Sequence, residues 1–170
     1  MADKVLVGIV MGSDSGLETM QETVKTLEKF GIGCEVNIIS AHRTPKQAHE
    51  YALTAEERGL EVIIAAAGGA AHLAGVMAAW TPIPVIGVPI QTQLSGGLDS
   101  LLSMVQMPSG VPVACVATGK AGAKNSAIPA AQILGVKYPE IREKIKKYKE
   151  QMAKEVEEKN KKLPARAGSR

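Results

Sequence analysis

The chain has 170 residues, 45% of them hydrophobic, 22% charged and only 3% aromatic, with a formal net charge of +3. Those totals suit one domain, 1–164, with a core of Val, Ile, Leu, Met and Ala. They exclude a nucleic-acid face, because Lys and Arg are interleaved with Glu, and a membrane span, because no apolar run reaches roughly 18 residues. Cys34 and Cys115 both lie in apolar, strand-like runs and read as buried reduced thiols. No His/Cys cluster suggests a metal. No basic–apolar–small leader opens the chain, so a cytoplasmic protein is expected.

Strand and helix patterns alternate along the sequence. KVLVGIV (4–10) reads as a strand and runs into the breaker cluster MGSDSG. Leu17, Met20, Val24 and Leu27 then recur at helical spacing until Gly31. EVNIIS (35–40) is the next strand, after which Thr44 is placed as N-cap and Pro45 as first helical residue of a helix ending at Gly59. EVIIAAA (61–67) is a third strand, followed by GGAAHLAG and a helix to about Trp80. PVIGVP (84–89) is a fourth, and QTQLSGG leads to a helix from about Asp99 to Met107. VPVACVA (111–117) is a fifth, followed by a helix from about Gly122 to Leu134. Five apolar strands, each feeding a helix, predict a doubly wound α/β domain on a parallel sheet, with ligands beyond the carboxyl ends of the strands.

The tail differs. Ile141, Ile145, Tyr148, Met152 and Val156 form a narrow stripe on a helix predicted over 139–163, with Glu–Lys pairs four residues apart on its other faces. The sheet is already covered on both sides, so this stripe is expected to pack on a neighbouring subunit. The ending ARAGSR, 165–170, reads as an appended tail.

The polar, glycine-rich segments fall where a site should be. In MGSDSG, Gly12 and Gly16 permit a tight turn, Ser13 and Ser15 offer hydroxyls, and the following helix start offers free N–H groups to an anion. The same cluster would serve as a plain N-cap, and Asp14 at its centre excludes a nucleophile elbow. In SAHRTP, Arg43 can grip a phosphate bidentately, and an imidazole, here that of His42, is the side chain whose charge changes near neutral pH. In AAGGAAH, Gly68, Gly69, Ala70 and Ala71 leave room for a flat ligand, or for close helix–strand packing. His72 sits near a helix start, whose dipole disfavours a cation, and reads as pocket-lining rather than proton-carrying. There is no Walker loop, G-x-G-x-x-G, metal-ligand set or nucleophile triad. What remains suits cofactor-free proton transfer on a phosphorylated small molecule.

The segments MGSDS, SAHRTP, AGGAAHL, PVIGVP, LDSLLSMVQMPSGVPVA and GKAGAKN, in this order over residues 4–138, resemble the N5-carboxyaminoimidazole ribonucleotide mutase family of de novo purine synthesis. Arg43 resembles the mutase branch; the related carboxylase branch usually has Lys there. The resemblance implies a flavodoxin-like sheet and a homo-octamer with terminal helices exchanged between subunits. It also implies transfer of a carboxylate from the exocyclic nitrogen of an imidazole ribonucleotide to ring carbon 4, through enclosed CO2. No metal, ATP or biotin is implied. His42 takes the place of the acid–base histidine. Ser13, Ser15, Gly16, Ser40, Ala41, Arg43, Gly69, Ala70, His72 and Leu73 take the substrate-binding positions, with Arg43 on the phosphate.

The match has departures. Gly16 replaces the aspartate that binds the ribose hydroxyls in the family, Ala74 a proline, Val76 a methionine and Ala66 a glycine. Three other readings stay open: a direct carboxylase of aminoimidazole ribonucleotide, a relative acting on another phosphorylated carboxylate, and a catalytically silent oligomeric nucleotide-binding protein.

Overall fold

A computed structural model describes residues 4–163; the 165–170 tail lies outside them. In chain order the elements are β1 (Val5–Met11), a 3-10 turn (Asp14–Gly16), α1 (Leu17–Phe30), β2 (Gly33–Ile38), α2 (Pro45–Leu53), β3 (Val62–Ala67) and α3 (Leu73–Trp80). Then follow β4 (Val85–Pro89), α4 (Leu98–Val105), β5 (Ala114–Cys115), α5 (Gly119–Lys137) and α6 (Pro139–Lys161). All strand pairs are parallel, in the order β2-β1-β3-β4-β5. That is the flavodoxin-like order, whose switch point lies between β1 and β3.

The central strand shows why the sequence chooses this fold. All six residues of β3 are buried, and they alternate between two cores. Val62, Ile64 and Ala66 face the α1/α5 side, while Ile63, Ala65 and Ala67 face the α2/α3 side, the period-2 alternation of a strand covered on both faces. Gly8 in β1 is matched to this packing: a Cβ there would overlap the hydroxyl of Tyr51 on α2. Between α1 and α5 the contact includes buried polar groups, and the Thr23 hydroxyl donates to the Ala123 carbonyl at 2.8 Å. α1 ends as its sequence predicts. Gly31 is left-handed (φ 67), its N–H bonds Glu28 O, and the Ile32 N–H bonds Leu27 O, a Schellman cap.

Several boundaries depart from the expectation. α2 stops at Leu53, and separate turns carry the chain to Gly59 (φ 86). Thr44 holds the N-cap position but does not cap with its side chain. Its Oγ1 instead accepts the Ser40 N–H and donates to the Ser40 carbonyl, both at 3.0 Å, pinching residues 40–44 into a closed turn. β5 is only two residues long, because it meets β4 only at Ile86 and Gly87 and Pro112 has no N–H to give a ladder. α5 runs Gly119–Lys137, extending the expected Gly122–Leu134 helix at both ends.

α6 divides in two. Ile141 and Ile145 are buried in the chain's own core, and Tyr148 sets its ring edge-on to Phe30 with centroids 5.5 Å apart. The stripe therefore finds its first partner within the chain, in the groove beside α1 and α5. Beyond Tyr148 every residue to Leu163 is exposed, Met152 and Val156 included.

Cys34 and Cys115 are free and half-buried on the two opposite edge strands. Four strand spacings separate them by about 19 Å, well beyond disulfide reach. Burial pushes both thiols above their ordinary range.

Candidate functional site

The loops following β1, β2, β3 and β4 surround one cleft of about 480 Å³ at the carboxyl ends of the strands. Its lining includes Gly12, Ser13, Ser15 and Gly16 after β1, Ser40 to Arg43 after β2, Gly68, Ala71, His72 and Leu73 after β3, and Ile90 to Thr92 after β4.

The β1 and β2 loops are tied together. Arg43 donates from a terminal guanidinium nitrogen to the Gly12 carbonyl at 2.9 Å and from Nε to Ser40 Oγ at 3.4 Å. Two of the five N–H donors of a guanidinium are thus spent on aiming it, and three remain for an anion. The hydroxyls of Ser13 and Ser15 bond each other at 2.6 Å at the start of α1. Neither Gly12 nor Gly16 has positive φ, so the expected need for glycine flexibility at these two positions does not hold.

The β3 loop is the strained one. Gly69 (φ 65) is followed by Ala71 at φ 45, a left-handed conformation that costs a non-glycine residue of order 1 kcal/mol. The buried Ser100 hydroxyl fixes this loop, accepting the Gly69 N–H at 3.0 Å and donating to the Ile90 carbonyl at 2.8 Å. The result places His72 against His42. His42 Nε2 and His72 Nδ1 lie 2.6 Å apart, with ring planes at 80°. At that distance a hydrogen bond joins the two rings, with the donor set by the tautomer of each imidazole.

Nine of the eleven residues assigned to the site from sequence line this cleft: His42, Ser13, Ser15, Gly16, Ser40, Ala41, Arg43, His72 and Leu73. Gly69 and Ala70 do not; Gly68 and Ala71, on either side of them, line it instead. His72, read from sequence as a passive wall, touches His42. Sequence order gave no sign of that contact, which spans 30 residues. Ile90, Gln91 and Thr92 were signalled only by the position of the QTQLSGG loop after a strand. The Thr92 hydroxyl donates to Asp99 Oδ1 at 2.6 Å and holds that carboxyl below its ordinary range. Among the described residues no three His, Cys, Asp or Glu side chains gather as a metal-ligand set, and no helix is long and apolar enough to cross a membrane.

Comparison with known proteins places this geometry among relatives. Residues 6–155 match the family model described as AIR carboxylase. The N5-carboxyaminoimidazole ribonucleotide mutase of Pyrococcus horikoshii is 60% identical over 162 residues, covering 95% of this chain and 90% of that protein. The mutase of the same name from Thermotoga maritima is 60% identical over 157 residues, covering 92% and 91%. The crystal structure of Treponema denticola PurE superposes with a TM-score of 0.84 at 30% identity, covering 95% of this chain and all of that one.

Proposed function

The chain belongs to the AIR carboxylase family, and on that premise we propose that it converts N5-carboxyaminoimidazole ribonucleotide to 4-carboxy-5-aminoimidazole ribonucleotide. The observation that carries the reading is one cleft holding an aimed guanidinium, two serine hydroxyls at a helix start and a hydrogen-bonded histidine pair. Arg43 in place of lysine supports the mutase over the direct carboxylase.

The chemistry balances without an added reactant. Arg43, with Ser13 and Ser15, takes the phosphate. The imidazole of His42 gives a proton to the carbamate nitrogen, the N–C bond breaks, and CO2 is released within the cleft. Ring carbon 4 of the electron-rich aminoimidazole attacks that CO2, forming the new C–C bond. The proton on carbon 4 returns to His42, so the histidine ends as it began. His72, at the N-cap of α3, holds the His42 ring in place through the hydrogen bond between the two imidazoles. Ala66, Ala67 and Ala71 make the wall close and apolar, which keeps CO2 near carbon 4. Leu73 closes the same wall, and the backbones of Ala41 and Gly16 border the ribonucleotide. The enzyme in this reading is cytoplasmic, free of cofactors and a homo-octamer. The exposed stripe of Leu98, Leu102 and Val105 on α4 is one surface consistent with assembly.

The test is turnover of N5-carboxyaminoimidazole ribonucleotide without ATP or added bicarbonate, followed by ultraviolet absorbance of the product. Conversion is expected, and His42→Asn should lower kcat by a factor of about 10²–10⁴. Activity only with aminoimidazole ribonucleotide and bicarbonate would establish the carboxylase instead. Silence in both assays would point to a different ligand or a binding protein.

A further inference from the structure

α2 and α3 lie side by side on one face of the sheet, and each begins at a cleft loop that carries one histidine of the pair. The interface between them is built from small or flexible apolar residues: Ala48, Ala52, Ala74 and Met77 are all fully buried there. Such a surface lets two helices approach closely but does little to fix their slide or rotation, since a row of methyl groups offers no interlocking ridge.

Aromatic pairs grip that interface at both ends. At the cleft end is His42–His72. About one turn into α2 and about two turns along α3, His49 meets Trp80 at the end of α3. Their ring centroids are 4.1 Å apart and their planes are at 86°. Edge-to-face pairs of this kind add specific geometry to burial. Trp80 is half exposed, at 49%, so the pair adds little to the core and much to the register of α2 on α3.

We infer that the His49–Trp80 contact is a positioning device for the His42–His72 pair: it sets how far α2 can slide along α3, and so whether the two cleft imidazoles stay within hydrogen-bond reach. The inference rests on the mutase reading only for its kinetic readout. A shift of 1 Å between the helices is enough to break a 2.6 Å contact, and misplacement on that scale costs an enzyme up to about a hundredfold in rate.

The chain has three histidines and one tryptophan, which keeps the experiment simple. Long-range proton–nitrogen NMR of 15N-histidine-labelled protein gives a resolved set of ring signals, assigned with His49→Phe and His42→Asn. In Trp80→Ala the ring nitrogens of His42 and His72 should move, kcat should fall about tenfold or more, and KM should stay within twofold. Trp80→Phe, which keeps an aromatic edge, should restore both. Unmoved His42 and His72 signals in a folded Trp80→Ala protein would overturn the inference. So would a lowered Tm with unchanged kcat, which marks a merely structural contact. If the unaltered chain converts no substrate, the mutase reading fails and the ring signals alone decide this inference.

Discussion

Gly16 is the position where the family resemblance implies an aspartate, and nothing in its surroundings asks for glycine. Its backbone is right-handed, at φ −83 and ψ −12. A Cβ built on it meets Met11 Sδ at 3.7 Å and Ile90 Cδ1 at 3.8 Å, ordinary contact with two residues of the cleft. A side chain therefore fits and starts inside the site. Gly16→Asp should fold normally and lower KM about tenfold, because a carboxylate bonding hydroxyls is worth about 1.5–3 kcal/mol. A KM that stays put or rises in the same turnover assay would count against the mutase reading. At this scale the sequence was informative about residue types and poor about neighbours. The proposed phosphate grip was legible because Ser13, Ser15 and Arg43 sit at strand ends. The role of His72 was not, because a contact between two loops depends on the left-handed turn at Gly69 and Ala71, and no local pattern announces an alanine in that conformation.

Among the elements, β3 and β4 were legible because both faces of each are buried, which writes a continuous apolar run. β5 was over-read for the complementary reason: VPVACVA is apolar and β-branched, but edge pairing limits the ladder, and an apolar run does not reveal where its partner strand ends. α6 shows the same limit in another form, since a helical stripe says that a face is covered but not by what. Two measurements separate its parts. Ile141, at 2% exposure, is core, and Ile141→Ala should cost about 3 kcal/mol of unfolding free energy in urea. At the α5–α6 junction, the Glu61 carboxylate accepts from Lys137 Nζ at 2.7 Å and from the Tyr138 hydroxyl. Partial burial opposes ionisation, but these two donors outweigh it and hold the carboxyl below its ordinary 4.5. A lowered folded-state value means that the unfolded chain binds the proton more readily. The contribution is thus complete above pH 4.5 and is lost as pH falls through the lower folded value. Glu61→Gln should melt below the parent protein at pH 7, and the gap should narrow as pH falls below 4.5. A gap that stayed constant as the pH fell would mean that the effect is packing and not charge.

On the scale of the whole molecule, the apolar surface left uncovered among the described residues includes the distal half of α6, with Met152 40% and Val156 65% exposed, and the α4 face of Leu98, Leu102 and Val105. A solvated helix of 23 residues gains little from its own salt bridges, because exposed ion pairs contribute near zero to 1 kcal/mol each. The proposed homo-oligomer would give its outer half a surface, supplied by symmetry from a second copy of the chain. The division of α6 decides how to test this. Removing the whole helix would strip Ile141 and Ile145 from the chain's own core, and a loss of assembly would then mean only misfolding. Truncation after Tyr148 keeps that core and the Phe30–Tyr148 contact. The shortened protein should keep its helical circular dichroism for residues 4–148 and its cleft, but light scattering should report a smaller assembly than the full chain forms. Met152→Glu with Val156→Glu should do the same without shortening the helix. An unchanged native mass in both variants would free the distal half of α6 from any part in assembly, and Leu102→Glu would then test the α4 face.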